Sequence, residues 1–439
     1  MVYNYKKEIT LDIDYDVVVA GGGPAGICAA VSAARMGVSV LLVERHGVLG
    51  GNLTMGNISP ILGHVAPKTM YDEIISLLKE NHKDAREVVT HNGNEVHIDH
   101  EEAKGIFANL VIDSGAKFML CTSIVDIIKD KNKITGVILN TPEGLCGVKA
   151  GVVIDATGDG QASYLAGAEC KVGRDSDGLC QPTTLEFVVE GVDESIGITA
   201  WGESDPVKLP DGREYRSVCR EKNRMGELPE NVSIVRLHRT FYPGERSVNA
   251  TQLNNVNSLD PLTLAYAEIE LRNQIQKVVA FLKANVPGFQ NCKIKNSASV
   301  LGVRETRRVI GDFVIDDSVV ENGTKFDDVI VHNAWFLIDI HNPKGGGQAE
   351  GLARDASPYD IPYRALLPLG LENILTAGRC ISGTHRAHAS YRVMAICMAM
   401  GESAGIAAAL AVKNKTTPRK VAVKDIQKEL ILRGAKLFD

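Results

Sequence analysis

The chain has 439 residues, which is long enough for two domains and a large hydrophobic core. A net charge of −6 at pH 7 gives no overall attraction to nucleic acid or anionic lipid, so small-molecule chemistry is favoured. Nine cysteines without a CxxC pair argue against a disulfide framework, a zinc site and an iron–sulfur cluster, and no metal is expected.

The N-terminal residues contain no apolar stretch of signal-peptide length before the first glycines, so a cytoplasmic location is expected. The most apolar run, Val393 to Val412, is rich in small residues and contains Glu402 near its middle. This pattern favours a buried helix, and no membrane span is predicted.

The first elements predict a βαβ unit. Tyr15–Ala20 is an apolar, β-branched run, Ile27–Met36 is rich in helix formers, and Val38–Val43 has the composition of a second buried strand. Strands that are apolar throughout are typical of a parallel sheet that is covered on both faces.

A glycine motif, Gly21-x-Gly23-Pro24-Ala25-Gly26, joins the first strand to the helix. Its glycines allow a tight turn, backbone approach to a pyrophosphate and close packing of helix on strand. The helix N-terminus would then face the diphosphate with free N–H groups. Glu44, eighteen residues after Gly26, can accept hydrogen bonds from both hydroxyls of an adenosine ribose. At this point NAD and FAD are equally compatible with the motif.

Further elements follow in the same style. The composition predicts one helix and then four strands: Glu101–Ser114, Lys117–Cys121, Ile124–Lys129, Ile134–Asn140 and Val152–Ala156. Near the C-terminus, Ile374–Ala377 is strand-like and Val393–Ala411 is a long helix of small residues.

The region between these segments is more polar and irregular. The expected fold is therefore α/β, with a discontinuous Rossmann-like domain of residues 1–172 and 359–439 that combines a parallel sheet with a three-stranded antiparallel meander. An inserted α+β substrate domain is expected over residues 173–358.

Three more blocks occur in order along the chain: Arg45–Asn52 (RHGVLGGN), Val153–Gly160 (VIDATGDG) and Leu375–Ser382 (LTAGRCIS). Together with the glycine motif they resemble the FAD-dependent oxidoreductases of the glutathione-reductase structural class. Other runs look like the "FAD-dependent oxidoreductase" family of mostly uncharacterised bacterial enzymes: Leu301–Gly311, Ile338–Pro343, Ile361–Pro368 and Ser390–Gly405.

The resemblance implies that the Rossmann-like domain binds FAD. No histidine or cysteine stands in a recognised covalent-flavin motif, so FAD is expected to be non-covalent. The resemblance also implies which residues lie along the diphosphate, the adenine, the ribityl chain and the isoalloxazine ring: Arg45, Gly50, Gly51, Asn52, the backbone near Ile124, Thr157, Gly158, Asp159, Gly378, Arg379, Arg392, Val393 and Met394.

Histidine and arginine are the candidate types for proton transfer and substrate binding. His341, in IDIHNPKGGG, is the first choice for acid–base catalysis, with a structural turn-capping role as an equal alternative. Arg304 is the candidate substrate or flavin contact, and on a strand it would share a face with Arg308.

Two further histidine pairs receive different interpretations. His385 ranks above His388 as a catalytic candidate because it is nearer the LTAGRCIS block. His97 and His100 precede a polar helix, far from any cofactor block, and are expected to lie in solvent.

The leading hypothesis is an FAD-dependent oxidoreductase that transfers a hydride between flavin N5 and a small polar or carboxylated substrate. The alternatives are a sulfur-donating protein that resembles thiazole synthase, with Cys180 or Cys380 as donor, and an RNA-modifying flavoprotein. The expected partners are a small-molecule substrate and an unidentified electron acceptor, without nucleic acid, and a homo-oligomer is left open.

Overall fold

A computed structural model describes residues 6–58, 60–80, 87–90, 93–349 and 353–438. Within these residues the strands are, in chain order, β1 (Ile13–Ala20), β2 (Val40–Val43), β3 (Glu87–Thr90), β4 (Gly93–Val96), β5 (Lys117–Met119), β6 (Ser123–Asp130), β7 (Lys133–Thr141), β8 (Gly144–Asp155), β9 (Cys170–Val172), β10 (Phe187–Glu190), β11 (Arg236–Arg239), β12 (Glu245–Asn249), β13 (Lys293–Ser297), β14 (Arg307–Val309), β15 (Val329–Ala334), β16 (Tyr359–Pro362) and β17 (Ile374–Thr376).

The α-helices of the described residues are α1 (Pro24–Arg35), α2 (Met70–Glu80), α3 (His100–Asp113), α4 (Gln161–Leu165), α5 (Tyr215–Arg224), α6 (Pro261–Asn285), α7 (Asp317–Asn322), α8 (His385–Tyr391), α9 (Met394–Lys413) and α10 (Val423–Leu432). Three short 3₁₀ helices of the described residues cover Gly51–Leu53, Tyr363–Leu366 and Pro418–Lys420.

The main sheet combines a parallel part with an antiparallel meander. The parallel strands lie in the order β5-β2-β1-β8-β17, and β1 pairs with β2 on one side and with β8 on the other. The meander consists of β6, β7 and the first half of β8. The predicted Rossmann-like fold with a three-stranded meander is therefore confirmed, although the run at Lys117 joins the parallel sheet as β5.

The predicted start of the fourth strand at Val152 is wrong, because β8 already begins at Gly144. The part of β8 before Val152 contains Gly147 and Gly151, and glycine inside a strand commonly indicates an interruption. Here the glycines make room for a neighbouring backbone. A Cβ atom on Gly147 would lie 2.5 Å from the Thr10 carbonyl oxygen, and one on Gly151 would lie 2.8 Å from that of Asp16.

Helix α9 crosses α1 at very short range. A Cβ atom on Gly401 would lie 2.0 Å from the Ala25 carbonyl oxygen, and one on Gly405 would lie 2.3 Å from that of Ala29. Helix α9 is long and apolar enough to cross a membrane by length and composition, but 89% of its apolar window is buried inside the protein. The structure therefore places α9 in the core, as expected from its small residues.

A second hydrophobic core lies between residues 185 and 298. It fills the space between helices α5 and α6 and one face of the sheet β11-β12-β10-β13. Later residues such as Ile315, Ile330 and Ile340 pack instead into the core that contains α1 and α9. The division into domains at residues 173 and 358 stays a prediction.

Candidate active site

The glycine motif and Glu44 meet at the carboxyl ends of β1 and β2. The Glu44 side chain is buried, and its two oxygens accept hydrogen bonds from the backbone N–H groups of Gly22 (2.6 Å) and His46 (2.8 Å). Gly26 allows the first turn of α1 to pack on the motif, because a Cβ atom there would lie 1.8 Å from the Gly21 carbonyl oxygen. The acid and the helix N-terminus are thus held side by side.

The loop with Gly50, Gly51 and Asn52 lies directly against this motif. Gly50 has φ +108°, a left-handed conformation that favours glycine, and its N–H donates to the Gly22 carbonyl at 2.8 Å. A Cβ atom on Gly51 would lie 3.1 Å from Gly23 Cα. Two predicted cofactor segments that are distant in sequence therefore form one backbone-lined surface.

The start of β6 approaches Glu44 from the other side. The Thr122 N–H donates to the Glu44 carbonyl at 2.9 Å, and Ile124 is buried two residues further on. The structure thus brings Ile124 close to the acid that is expected to bind the ribose.

Asp159 connects three of the predicted cofactor segments. Its carboxylate accepts hydrogen bonds from Arg379, from Thr306 Oγ1 (2.9 Å) and from Arg45 Nη1 (3.2 Å). Burial alone would raise the pKa of Asp159, but the charges of Arg379 and Arg45 outweigh it and lower the pKa below its usual value. Thr157 Oγ1 accepts from the Asp159 N–H and so fixes the turn that contains Gly158.

These residues fit a dinucleotide. The N–H groups of the first turn of α1 lie outside the helix's own hydrogen-bond ladder, and a Cβ atom on Gly23 would meet nothing within 4 Å. Open space in front of a helix N-terminus, with a buried acid beside it, is what a diphosphate and its ribose require.

Arg392 lies at the junction between α8 and α9, close to Val393 and Met394. Its Nη2 atom donates to the Asp339 carbonyl (3.1 Å) and lies 3.4 Å from Gln181 Oε1. Its Nε atom is buried and has no hydrogen-bond partner among the described residues. The Ala395 N–H donates to the Leu62 carbonyl, so part of the α9 N-terminus is already occupied.

His341 belongs to the same cluster. Its Nε2 atom lies 3.3 Å from Asp339 Oδ2, and its backbone N–H donates to Gln181 Oε1 at 3.2 Å. Burial and then the charge of Arg304 lower the pKa of His341 to about 4. Burial alone would raise the pKa of Asp339, but its interactions with His341 and Arg392 lower it. The ionised Asp339 therefore receives Nε2–H, and Nδ1 of the neutral ring is left as an acceptor.

Arg304 lies partly buried beside this cluster but is not on a strand. Its Nη1 atom donates to the Pro182 carbonyl at 2.9 Å, and burial followed by the charge of Arg392 lowers its pKa to about 10. The strand β14 begins only at Arg307. The expectation that Arg304 and Arg308 share a strand face is therefore wrong, and Arg308 instead pairs with Glu305.

His385 lies behind the cluster, at the start of α8. Its Nδ1 atom lies 2.9 Å from the Glu305 carboxylate, which also accepts the Gln181 N–H at 3.1 Å. His385 Nε2 and His388 Nδ1 are buried without a hydrogen-bond partner among the described residues. Gln181 thus connects the pair of His385 and Glu305 to the pair of His341 and Asp339.

The expectation that His97 and His100 lie in solvent is wrong. His97 is buried and packs edge-on against Trp201 at a ring-centroid distance of 5.8 Å. His100 Nδ1 lies 2.7 Å from the Leu53 carbonyl, immediately after the loop with Gly51 and Asn52. Trp201 covers His97 from a part of the chain that is distant in sequence, which cannot be deduced from the polarity of the following helix.

Sequence reasoning did not select Gln181 and Asp339 or the polar residues on β10, β11 and β12. Only one local signal was present for one of them: Glu186 lies between Leu185 and Phe187, in an alternating pattern typical of a strand with one buried face.

Together, the fold and the two ends of the site define a dinucleotide-binding α/β enzyme. The FAD dependent oxidoreductase family matches residues 16–430, so the chain belongs to this family, and FAD is its cofactor.

Similar proteins agree with this fold. A thiamine thiazole synthase of Methanococcus aeolicus is 29% identical over 190 residues, which cover 40% of this chain and 66% of that protein. The chain thus spans just under two thirds of this relative.

Two solved structures extend over nearly the whole chain. A geranylgeranyl bacteriochlorophyll reductase-like protein from Thermoplasma acidophilum has a TM-score of 0.50 at 16% identity, covering 96% of this chain and 84% of the other. The p-nitrophenol 4-monooxygenase from Pseudomonas putida DLL-E4 has a TM-score of 0.53 at 11% identity, with the same coverage. At these identities the likeness shows the fold alone.

Proposed function

We propose that this oxidoreductase transfers a hydride between FAD and a small carboxylated or polar substrate. The observation that carries the proposal is the cluster of the buried His341 with the partly buried Arg304, Asp339 and Arg392, which adjoins the start of α9. When bound, FAD supplies the hydride acceptor or donor at N5. The side chains of the cluster bind the substrate and move its proton.

The arginines supply the binding site for a carboxylate. Arg304 and Arg392 are both partly buried, and Asp339 is an ionised acid beside them. Two guanidinium groups against one carboxylate leave an excess positive charge, and Arg392 Nε still lacks a partner among the described residues. A substrate carboxylate would neutralise this charge and accept that N–H group.

His341 is the proposed acid–base residue. In the oxidation direction, FAD would accept the hydride of a substrate C–H bond, and His341 Nδ1 would accept the proton of the adjacent O–H or N–H group. Asp339 stabilises the imidazolium through Nε2–H. In the reduction direction, both transfers are reversed.

His385 is assigned a positioning role. It contacts Glu305, which holds the Gln181 backbone, and Gln181 in turn accepts from His341 and Arg392. This chain of contacts orients the acid–base residue without requiring His385 to touch the substrate.

The test uses the flavin-loaded protein under anaerobic conditions. The flavin is reduced by light, or left oxidised, and is mixed with a panel of small carboxylates, alcohols and enoates. We expect carboxylates to change the flavin redox state in wild type. The change should slow at least about tenfold in Arg304→Met, while flavin content stays the same. Reaction with apolar compounds only would contradict the proposal.

The sulfur-donor alternative rests on the partial likeness to thiamine thiazole synthase. A donor cysteine reacts as a thiolate, but burial raises the pKa of Cys180 to about 12 and raises that of Cys380 well above its usual value. Mass spectrometry that found one of these cysteines converted to dehydroalanine would favour this alternative over hydride transfer.

Several expectations accompany the proposal. Non-covalent FAD should be released completely when the protein is denatured by acid, and flavin that stays with the precipitate would contradict it. The cytoplasmic location stays a prediction, and the oligomeric state and the electron acceptor stay open. Oxygen and quinones are the acceptors to compare first, and the RNA-modifying alternative predicts retention of transfer RNA during purification.

A further inference from the structure

The second sheet presents a polar face away from its hydrophobic core. Leu185, Phe187 and Val189 point into that core, as do Leu237 and Val248. Side chains alternate along a strand, so the opposite face carries Arg236 and His238 of β11 and Ser247 of β12. Glu186 directly precedes β10, between the core residues Leu185 and Phe187, and its carbonyl accepts the Ala298 N–H, so it continues this face. Ser247 of β12 pairs directly with His238 of β11 and with Val188 of β10, so these three side chains lie side by side on one face of the sheet. We name Glu186, Arg236, His238 and Ser247 the polar wall.

The polar wall is buried and short of hydrogen-bond partners. Glu186, His238 and Ser247 are only 4%, 7% and 0% exposed. Among the described residues, Glu186 Oε2, His238 Nδ1 and Ser247 Oγ have no hydrogen-bond partner. Leaving buried polar atoms unpaired costs about 1–3 kcal/mol each, so native proteins rarely do so without a ligand or water. Three such atoms on one face indicate a binding surface.

The polar wall faces the candidate active site. The segment that follows the loop with Gly50, Gly51 and Asn52 contacts β13, the strand that pairs with β10, because Asn57 Nδ2 donates to Asn296 Oδ1 at 2.9 Å. The charge of Arg236 acts on both Asp339 and His341 and lowers the pKa of each. Arg304 Nη1 donates to the Pro182 carbonyl, four residues before Glu186, and Arg304 also interacts electrostatically with Glu186 and Arg236. The polar wall therefore lies beside the arginine cluster.

We propose that the polar wall binds the part of the substrate that lies beyond its carboxylate, and that Glu186 donates a hydrogen bond to a hydroxyl or carbonyl oxygen there. The substrate class is thus a small hydroxy- or oxo-carboxylate. This inference rests on the proposed function, because it takes the carboxylate to be bound by Arg304 and Arg392.

The electrostatics agree with a neutral Glu186. Burial raises its pKa to about 8, although the charges of Arg304 and Arg236 act in the opposite direction. The other charged or titratable groups near the polar wall and the arginine cluster are Asp339, His341, Arg392, His238 and His97, which lies across Trp201 from His238. A neutral carboxylic acid donates a hydrogen bond, which an ionised one cannot do.

The binding test uses carboxylates of matched length with and without hydroxyl groups: lactate against propionate, and gluconate against hexanoate. Each is titrated into the oxidised holoenzyme while the flavin absorbance is recorded. We expect the hydroxylated member of at least one pair to bind about tenfold tighter. This preference should fall below about threefold in Ser247→Ala and in Glu186→Ala.

The matched control is Glu190→Gln, which lies at the other end of β10 and pairs with Lys293. It should keep the full preference. Equal binding of both members in wild type overturns the inference and leaves the carboxylate proposal intact. Absence of binding by every carboxylate contradicts the proposed function as well.

Glu186→Gln separates a hydrogen-bond donor from a merely structural group. In wild type, the preference for hydroxylated carboxylates should be lost as the pH rises through about 8, where Glu186 ionises. The amide of the glutamine variant still donates and does not ionise, so this variant should keep the preference at every pH. A glutamine variant with the wild-type pH profile overturns the inference.

A second readout needs no flavin. Glu186 holds its proton more tightly in the folded chain, so apo wild type should lose stability as the pH rises from about 4.5 to about 8, more steeply than Glu186→Gln. Urea unfolding at pH 5 and pH 8 measures this difference. Identical slopes for the two proteins would overturn the assignment of a neutral Glu186.

Discussion

The two ends of the site differ in how their charged groups are satisfied. At the dinucleotide end, Asp159 is bound by Arg45 and Arg379, and the Glu44 carboxylate is occupied by two backbone N–H groups. At the reacting end, Arg392, Glu186 and other buried groups keep polar atoms without partners among the described residues. The protein itself satisfies the charged groups of the first end, whereas the second end leaves polar atoms that a ligand or water can pair with.

Breaking the dinucleotide end should have the largest effect. In Gly26→Val the new side chain would collide with the Gly21 carbonyl oxygen, so α1 could not pack on the motif. We expect the purified variant to contain almost no flavin, measured by absorbance, while circular dichroism checks that it folds. Gly105→Ala, in α3 where a Cβ atom meets nothing within 4 Å, is the control and should keep its flavin. Full flavin content in the valine variant would refute the assignment.

Removing the acid–base group should leave the dinucleotide end intact. We expect His341→Gln to lower kcat/KM by about 10²–10⁴-fold with the best substrate of the panel, because proton transfer loses its acceptor. Flavin content and light-driven reduction serve as the controls and should match wild type. A loss of flavin in this variant would place His341 at the cofactor instead.

Sequence patterns predict some parts of the fold and miss others. The unit β1-α1-β2 and helix α9 follow from local apolar runs and glycines, so their positions are predictable. The continuity of β8 is not, because Gly147 and Gly151 serve a neighbouring backbone that is distant in sequence.

The same limit applies to the site. The residues that are expected to bind FAD lie in short contiguous blocks, and each block forms a recognisable motif. Glu186, Arg236 and Ser247 come from three separate strands and share a surface only because the sheet alternates. No local pattern marks such a surface, since a lone buried serine or arginine has no characteristic neighbours.

A milder change at the dinucleotide end should weaken FAD binding without abolishing it. Glu44→Ala removes a buried charged acceptor that is expected to bind the ribose hydroxyls, and hydrogen bonds to charged groups are each worth about 1.5–3 kcal/mol. We expect the dissociation constant for FAD to rise by roughly 10–100-fold. Glu143→Ala, at the exposed turn between β7 and β8, is the control. Unchanged FAD affinity in Glu44→Ala would exclude the ribose role.

The smallest effect concerns stability. Glu402 is buried in α9, where it accepts the Met70 N–H at 2.8 Å, and burial raises its pKa to about 6. The raised pKa makes ionisation unfavourable in the folded chain, at a cost of about 2 kcal/mol at pH 7. Glu402→Gln keeps an acceptor for Met70 without this cost. Urea unfolding of the apo protein should show that Glu402→Gln raises the free energy of unfolding at pH 7, and that this gain shrinks towards pH 4.5. Glu143→Gln, the control, should not change the free energy of unfolding.

The contact between α1 and α9 has a consequence for how the protein can vary. The N-terminus of α1 lies at the expected diphosphate position and that of α9 at the expected ring position. Gly401 and Gly405 bring the two helices together without side chains between them. The distance between the two ends of the cofactor is therefore set by backbone contact. Substitutions around the polar wall can change which molecule reacts, but they leave that distance unaltered.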